Sequence, residues 1–287
     1  MTGLPEELCQ HGEEFFNYCL WPYLPVAETE NKLTAANVLY QSFAQAAVGF
    51  AGRQMVDALR SAIGRNKSVW GIKWSDGELG WEFYFYDYRR RQRERSLTRV
   101  LHALAPQVHC TLPRPEALPY FMFSLDLGPA LRGTSALEHV NLYLGNVGSS
   151  VSSGVSYKLT AEGRSLENFY FFFEAEKHLE LILGKLGCSA FITVPEVDYA
   201  EIVWPELVEC QTICLANKRT HDCIYFSGVK VEQLLYFMRR LCYPPGLIAY
   251  VERERSRLDH LLFDVGYDFT YDADGLHLVK SGFYGVV

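Results

Sequence analysis

The sequence predicts an α+β fold, a ten-stranded antiparallel β-barrel surrounded by helices. A unit of two strands followed by a helix occurs at residues 68–104 and recurs at 154–187 and 211–242. Two further strand pairs bring the candidate strands to ten. Closing such a sheet removes both of its edges, and the interspersed helices then cover its outer surface.

The first unit defines the pattern. SVWGIKWSD and GELGWEFYFYDY are predicted to be strands joined at Asp76-Gly77, a dipeptide typical of two-residue hairpin turns. Along the second strand, side chains alternate between two faces. One face carries Trp81, Phe83 and Phe85, and the other carries Glu82, Tyr84, Tyr86 and Tyr88. A helix follows, with apolar residues at helical spacing: Leu97, Val100, Leu101 and Leu104.

The later units repeat this order. In the second unit, strands are predicted over 155–160 and 167–174, and a helix over 175–186. The remaining strand pairs are YFMFSLDL with HVNLYLGN, and LDHLLFDVGYDF with GLHLVKSGFYGVV. Alternate residues of a barrel strand face the helices or the lumen. We therefore expect Phe169, Phe171 and Phe173 to pack outward, and Asn168, Tyr170 and Phe172 to point into a solvated lumen.

The N-terminal region is predicted to be helical. One helix is expected from Pro5 to about Leu20, because its apolar residues recur at helical spacing. A second, long helix is expected to begin at Thr34 as its N-cap, to continue to Ile63 and to stop at Gly64.

The whole chain is predicted to form one domain, residues 1–287, with helices at 5–64 and the barrel at 68–287. The Gly/Ser-rich stretch 145–154 is expected to be mobile and to leave one rim of the barrel open to a peptide. The proline-rich loop Pro106–Pro119 is expected to form a stiffer opposite wall.

Composition narrows the function classes. The net charge is −7, which argues against a nucleic-acid partner, since phosphate binding needs a basic face. The eight cysteines are irregularly spaced, and no signal peptide is evident at the N-terminus, so we expect free thiols in the cytoplasm. No run approaches the ~20 apolar residues that a membrane-spanning helix needs.

Several segments resemble one enzyme family over most of the chain. FMFSLDLGPALRGTSALEHVNLYLGN is similar to the central hairpin of the ABBA aromatic prenyltransferases, closest to the peptide-modifying branch associated with cyanobactins. KRTHDCIYFSGVKVEQLLYFMRRL and LVKSGFYG resemble a later hairpin–helix unit and the closing strand of that branch. The resemblance implies a ten-stranded prenyltransferase barrel and transfer of an isoprenyl group to a nucleophilic side chain of a ribosomally made peptide or to an aromatic small molecule.

The resemblance also implies roles for particular residues. In such enzymes, basic strand residues bind the isoprenyl diphosphate, tyrosine faces surround the allylic cation, and a carboxylate acts on the acceptor. The candidates for diphosphate binding are Lys73, Lys158, Lys218 and Lys280. The candidates for shielding the cation are Tyr143, Tyr170, Tyr225 and Tyr284, and Glu82 is the candidate base. Magnesium is expected only as the counter-ion of the diphosphate, with no protein metal site and no organic cofactor.

A second interpretation stays open, in which a non-catalytic barrel binds an apolar ligand or a partner protein. It is favoured by Trp81 and Glu82, which occupy the strand region where the family carries an arginine. A further pattern, Asp264-x3-Asp268, places two carboxylates on one face of a strand. We expect these to be solvated or hydrogen-bonded rather than to bind magnesium.

Overall fold

The computed structural model describes residues 6–105, 107–133, 136–145 and 152–287. The strands are β1 (Phe15–Phe16), β2 (Pro22–Tyr23), β3 (Ser68–Ser75), β4 (Glu78–Tyr86), β5 (Met122–Asp126), β6 (Val140–Gly145), β7 (Ser152–Thr160), β8 (Gly163–Glu174), β9 (Thr212–Asn217), β10 (Asp222–Val229), β11 (Phe263–Asp272) and β12 (Gly275–Val286). The helices are α1 (Ala36–Gln45), α2 (Gly49–Ile63), α3 (Leu97–Leu104), α4 (Gly128–Leu131), α5 (Leu179–Leu186), α6 (Tyr199–Ile202), α7 (Val231–Arg240), α8 (Pro245–Arg253) and α9 (Arg255–Leu258). Within these ranges, no helix combines the length and apolar character needed to cross a membrane.

Strands β3 to β12 form a closed barrel, as predicted. Each strand is antiparallel to its neighbours, and consecutive strands are adjacent around the barrel. The ring closes where β12 pairs with β3, for example at Gly285 opposite Trp70. The predicted fold class is therefore confirmed for the described residues.

The turn that joins β3 and β4 is one reason why the sequence predicts the barrel correctly. Asp76 and Gly77 adopt φ angles of 53° and 78°, the left-handed backbone that a two-residue turn between twisted strands requires. The register then pairs Lys73 with Gly80 and Gly71 with Glu82. This register determines, from the turn onward, which side chains of β3 and β4 face the lumen and which face the helices.

The outer face of the barrel packs under helices. The indole nitrogen of Trp81 donates to the Ser42 hydroxyl at 2.8 Å, and the Trp81 ring lies 5.4 Å from that of Phe43, so β4 is covered by α1. Phe173 and Phe171 face outward, as predicted, and join the helix-covered core. Phe169 is also outward but 40% exposed, so the prediction that helices cover it is wrong.

The predicted helix over 5–20 is wrong for its described part, residues 6–20. This segment carries the two-residue strand β1, which pairs with β2 as a hairpin. The Asn17 side chain accepts hydrogen bonds from the backbone N–H groups of Cys19 and Trp21, both at 3.0 Å, and Leu20 has a φ of 55°. An asparagine that caps a turn in this way competes with helical hydrogen bonding, and the apolar spacing did not reveal it.

The single helix predicted from Thr34 to Ile63 is two helices. The first helix, α1, ends at Gln45, and α2 begins at Gly49. Between them, Ala47 adopts a φ of 58°, which is not helical. Thr34 is not the cap, because its hydroxyl donates to Glu7 at 3.1 Å instead. Gly64 does end α2, with a φ of 95°, as predicted.

The two ends of the barrel differ. At one end, which we call the hairpin end, short turns join β3 to β4, β7 to β8, β9 to β10 and β11 to β12. At the other, the plugged end, the β1–β2 hairpin lies against the strands. The Gly/Ser stretch lies largely outside the described residues, at 146–151, and its flanks are strand: Gly145 pairs with Gly154 at the plugged end.

Candidate functional site

The inward faces of the strands surround a small cavity near the hairpin end. Its volume is about 80 Å³, which suits a few water molecules rather than an organic ligand. Its walls are lysine, tyrosine, carboxylate and glycine residues contributed by strands from all around the barrel. The predicted lumen is therefore polar and aromatic, as expected, but nearly filled.

Three of the four predicted lysines border this cavity. Lys73 projects from β3, Lys280 from β12, and Lys218 from the residue after β9. Lys158 lies on the same inward-facing side of β7, opposite Asn141, but does not border the cavity. Lys73 and Lys218 both lie within three residues of a hairpin turn, so the basic groups gather at the hairpin end.

Each of the three cavity lysines has a carboxylate partner. Lys73 Nζ lies 2.8 Å from Asp126 Oδ2 and 3.5 Å from Glu82 Oε2. Asp268 pairs with the other two lysines: its Oδ1 lies 2.7 Å from Lys218 Nζ, and its Oδ2 lies 3.5 Å from Lys280 Nζ. Three positive and three negative side chains therefore balance at this end of the lumen.

The ion pairs determine which groups are charged. Burial alone would raise the pKa of Asp268, but Lys218 and hydrogen bonding by His221 hold it well below its usual range. Burial likewise opposes the charge of Lys73, and Glu82 and Asp126 outweigh it and raise the pKa of that lysine. Lys73 and Asp268 are therefore ionised at neutral pH.

Glu82, the predicted base, is fully engaged. Its carboxylate accepts hydrogen bonds from Ser124 Oγ at 2.7 Å and from Tyr84 Oη at 2.9 Å, besides the contact to Lys73. Burial would raise the pKa of Glu82, but Lys73 and these hydroxyls lower it to about 2. The carboxylate of Glu82 is therefore ionised at neutral pH, and its basicity is low for a general base.

Tyrosine rings occupy the rest of the lumen. The four predicted ones, Tyr143, Tyr170, Tyr225 and Tyr284, all border the cavity. Neighbouring rings are 5.8 Å apart for Tyr143 and Tyr170, and 6.1 Å apart for Tyr225 and Tyr284. Burial raises the pKa of Tyr170 to about 12, so its hydroxyl stays protonated. These rings can surround a cation with aromatic faces without acting as nucleophiles.

Inward-facing glycines make room for these rings. A side chain at Gly266 would place its Cβ 2.4 Å from the ring of Tyr225, and one at Gly71 would meet the ring of Tyr284 at 2.7 Å. Neither distance is compatible with a real Cβ atom. The tyrosines can therefore lie across the neighbouring strands only because these positions are glycine.

The β1–β2 hairpin inserts Tyr18 into the opposite end of the lumen. Its ring lies 5.2 Å from that of Tyr84, 5.2 Å from Tyr284 and 6.0 Å from Tyr86, each time edge-on or nearly so. With Tyr86, Met122 and Val69, Tyr18 belongs to a separate apolar cluster inside the barrel. This end is closed by residues from outside the barrel strands.

A lone carboxyl group, Asp264, lies on the inward face of β11 beneath this hairpin. It is 4% exposed, and its Oδ1 has no hydrogen-bond partner among the described residues. Burial raises the pKa of Asp264 to about 7, although the Ser227 hydroxyl and the backbone N–H groups of Tyr18 and Gly228 oppose the shift. Asp264 and Asp268 do share a face, as predicted, but four residues of strand hold them about 13 Å apart.

The sequence interpretation missed several of these residues. Asp126 and Asp268 were not recognised as lysine partners, although both lie on the inward-facing side of their strands, with Asp126 opposite Glu82 and Asp268 opposite Lys280. Tyr84 was placed on the correct face but not in the site. Tyr18 carried no usable signal, because its insertion depends on a turn that the sequence interpretation assigned to a helix.

No group of three or more His, Cys, Asp or Glu side chains in the described ranges could hold a metal ion. The nearest carboxylates, those of Asp126 and Asp268, are already engaged by lysines.

No protein-family model matches the sequence, and no curated protein is significantly similar to it.

Proposed function

We propose that this protein transfers an isoprenyl group from an isoprenyl diphosphate to a nucleophilic side chain of a peptide or to an aromatic small molecule, as a member of the ABBA prenyltransferase family. One observation carries the proposal. Three lysines and five tyrosines border a single cavity inside a closed barrel. Lysines suit the diphosphate, and aromatic faces suit the carbocation that forms when the donor ionises.

The diphosphate would bind at the hairpin end. Its oxygens would take over part of the role that Asp126 and Asp268 play as partners of Lys73, Lys218 and Lys280. Lys280 is the natural first contact, because its side chain is 42% exposed and its distance to Asp268 is 3.5 Å. The other two lysines are held at 2.7–2.8 Å and would follow.

The chemical step would use the groups deeper in the lumen. The allylic carbon–oxygen bond breaks, and its electron pair leaves on the diphosphate, which the lysines stabilise. The acceptor's nucleophilic atom then supplies an electron pair to the allylic carbon, and the resulting cationic adduct, which is acidic enough for a weakly basic carboxylate, loses its proton to Glu82. Tyr143, Tyr170, Tyr225 and Tyr284 would keep water from the cation.

A non-catalytic barrel that holds an apolar ligand or a partner protein is the second candidate. The charge balance favours it, because every cavity lysine has a carboxylate partner within the protein. The cavity volume of about 80 Å³ also means that any organic ligand requires side chains to move. These features stabilise a barrel whether or not it catalyses a reaction.

Mass spectrometry separates the two candidates. The protein is incubated with dimethylallyl, geranyl or farnesyl diphosphate and a cyclic peptide library containing Tyr, Trp, His and Arg. We expect products heavier by one isoprenyl group, with the same library and no donor as the control. Absence of any product, together with calorimetry that detects no binding of the three diphosphates, would favour the non-catalytic barrel.

A further inference from the structure

The ring of Tyr18 is separated from the lysine-lined cavity only by other rings. Tyr84 and Tyr284, each 5.2 Å from it, also border the cavity. The barrel is complete without this residue, since all ten of its strands lie between Ser68 and Val286. Withdrawal of the hairpin would therefore enlarge the cavity without opening the sheet.

The contacts of Tyr18 are ones that an aromatic residue of a bound peptide could also make. Its ring lies among Tyr84, Tyr86 and Tyr284, and its backbone N–H faces the carboxyl group of Asp264, where it opposes the rise in the pKa of that group. One contact recognises an aromatic side chain, and the other recognises a main-chain amide. An aromatic residue of an incoming peptide offers both groups.

The hairpin is held more by ring contacts, such as that of Phe15 with His260 at 5.4 Å, than by hydrogen bonds. Each of its strands has two residues, and an isolated two-stranded hairpin has little stability of its own. Its specific bonds to the rest of the protein include Tyr88 Oη donating to the carbonyl of Cys19 at 2.9 Å and the backbone N–H of Leu262 donating to Tyr23 Oη at 3.0 Å. Trp21, next to the tip, is 55% exposed.

The fit beneath the tip is also incomplete. Asp264 is almost fully buried, yet its Oδ1 has no hydrogen-bond partner among the residues described. Buried carboxyl oxygens are normally paired, so this atom is available to a donor that the hairpin does not supply. A hydroxyl or amide of a different occupant could supply it.

We propose that hairpin 15–23 is an autoinhibitory plug, whose Tyr18 occupies the subsite for an aromatic residue of a peptide acceptor. The acceptor must displace the plug before its side chain can reach the lumen. This inference rests on the proposed function and adds a means of regulation at the same site. The plug would keep the lumen closed to water, and to unsuitable acceptors, until a peptide competes for it.

Cysteine alkylation tests the plug in the unaltered protein. Cys19 follows Tyr18 at the tip and is half-buried, whereas Cys188 is exposed elsewhere on the surface. N-ethylmaleimide modification at each site is followed by peptide mass mapping, with and without N-acetyl-L-tyrosinamide as the acceptor probe. We expect the probe to raise the rate at Cys19 at least threefold and to leave Cys188 unchanged. An unchanged or lower rate at Cys19 would overturn the proposal.

Substitution of the ring supplies a second test. Tyr18→Ala should bind N-acetyl-L-tyrosinamide at least tenfold more tightly than the wild type, measured by calorimetry, because the probe no longer competes with the plug. Tyr18→Phe keeps the ring and Trp21→Ala alters an exposed neighbour, so both should bind as the wild type does. A Tyr18→Ala protein that folds but gains no affinity would contradict the plug, and the alkylation result decides if this variant does not fold.

The experiments distinguish failure of the proposed transfer reaction from failure of the proposed plug. If no prenyl product forms but Tyr18→Ala gains affinity for the probe and Cys19 is unmasked, the plug stands and the transfer reaction does not. If prenyl products form and neither plug experiment responds, the transfer reaction stands and the hairpin is a structural part of the barrel.

Discussion

Lys218 and Asp268 form a two-point ion pair inside the barrel, with Nζ at 2.7 Å from Oδ1 and 2.8 Å from Oδ2. Asp268 also lies 2.8 Å from His221 Nε2 and 3.5 Å from Lys280 Nζ. One carboxylate on β11 therefore fixes three basic groups at the hairpin end. Any anion that enters the lumen must compete with it.

Replacing Asp268 by Asn should destabilise the protein by about 3–5 kcal/mol, measured by urea unfolding at pH 7. The reason is that the substitution leaves the buried ammonium group of Lys218 without a full counter-charge. The double variant Asp268→Asn/Lys218→Met should be less destabilised than the sum of the two single variants, because it removes both charges. Additive losses would mean that the two side chains do not interact in solution.

Replacing Asp264 by Asn should change how stability depends on pH. The pKa of Asp264 in the folded protein is about 7, against about 3.9 in an unfolded chain. The unfolded state therefore loses this proton first as the pH rises, so the wild type loses stability between about pH 4 and 7, on the order of 4 kcal/mol in total. The substituted asparagine side chain does not ionise in this range, and the variant should be more stable than the wild type at pH 8.

The difference between the two proteins is the quantity to measure. Unfolding by urea at pH 4, 6 and 8 gives it directly, because Glu82 and Asp268, whose pKa values are lowered, are common to both proteins and cancel. The advantage of Asp264→Asn should shrink as the pH falls and should vanish near pH 4. An advantage that is constant with pH would mean that Asp264 is ionised in the folded state throughout.

The barrel could be predicted because its determinants are local. The Asp76-Gly77 turn sets a register, and strict alternation then assigns Trp81 to the helices and Glu82 to the lumen over a whole strand. Tyr143, Tyr170, Tyr225 and Tyr284, which the family resemblance names as candidates, border one cavity because their positions on the strands face inward. A period of two residues needs no information from distant parts of the chain.

The contents of the lumen depended on contacts that alternation cannot reveal. Lys73 meets Asp126, which is 53 residues away in sequence, and Lys218 meets Asp268, which is 50 residues away. The hairpin that carries Tyr18 was assigned to a helix because apolar spacing alone does not detect a side-chain-capped turn at Asn17. The sequence pattern identifies the strands, but it does not show which side chains pair with each other across the barrel.

Replacing Lys280 by Met should weaken binding of inorganic pyrophosphate at least tenfold, because a charge-assisted hydrogen bond is worth about 1.5–3 kcal/mol. Lys280 is the most exposed of the cavity lysines and the least tightly paired, so stability should change little. Lys230→Met is the matched control, since Lys230 pairs with Glu209 on the outer surface and should leave binding unchanged. Calorimetry at low and high salt checks both variants, and equal affinity for Lys280→Met would mean that Lys280 does not bind the anion.

The pH dependence of prenyl transfer should identify the base. Among the carboxyl groups that face the lumen, Glu82 and Asp264 have pKa values shifted in opposite directions: that of Glu82 is about 2, and that of Asp264 is about 7. If Glu82 accepts the proton, kcat/KM should stay flat as the pH falls from 7 to 5, because Glu82 remains ionised. Glu82→Gln should then lower kcat about 10²–10⁴-fold, the usual contribution of a general base. A profile that instead falls with an apparent pKa near 7, and that becomes flat in Asp264→Asn, would assign the base to Asp264 and move the acceptor to the plugged end of the lumen.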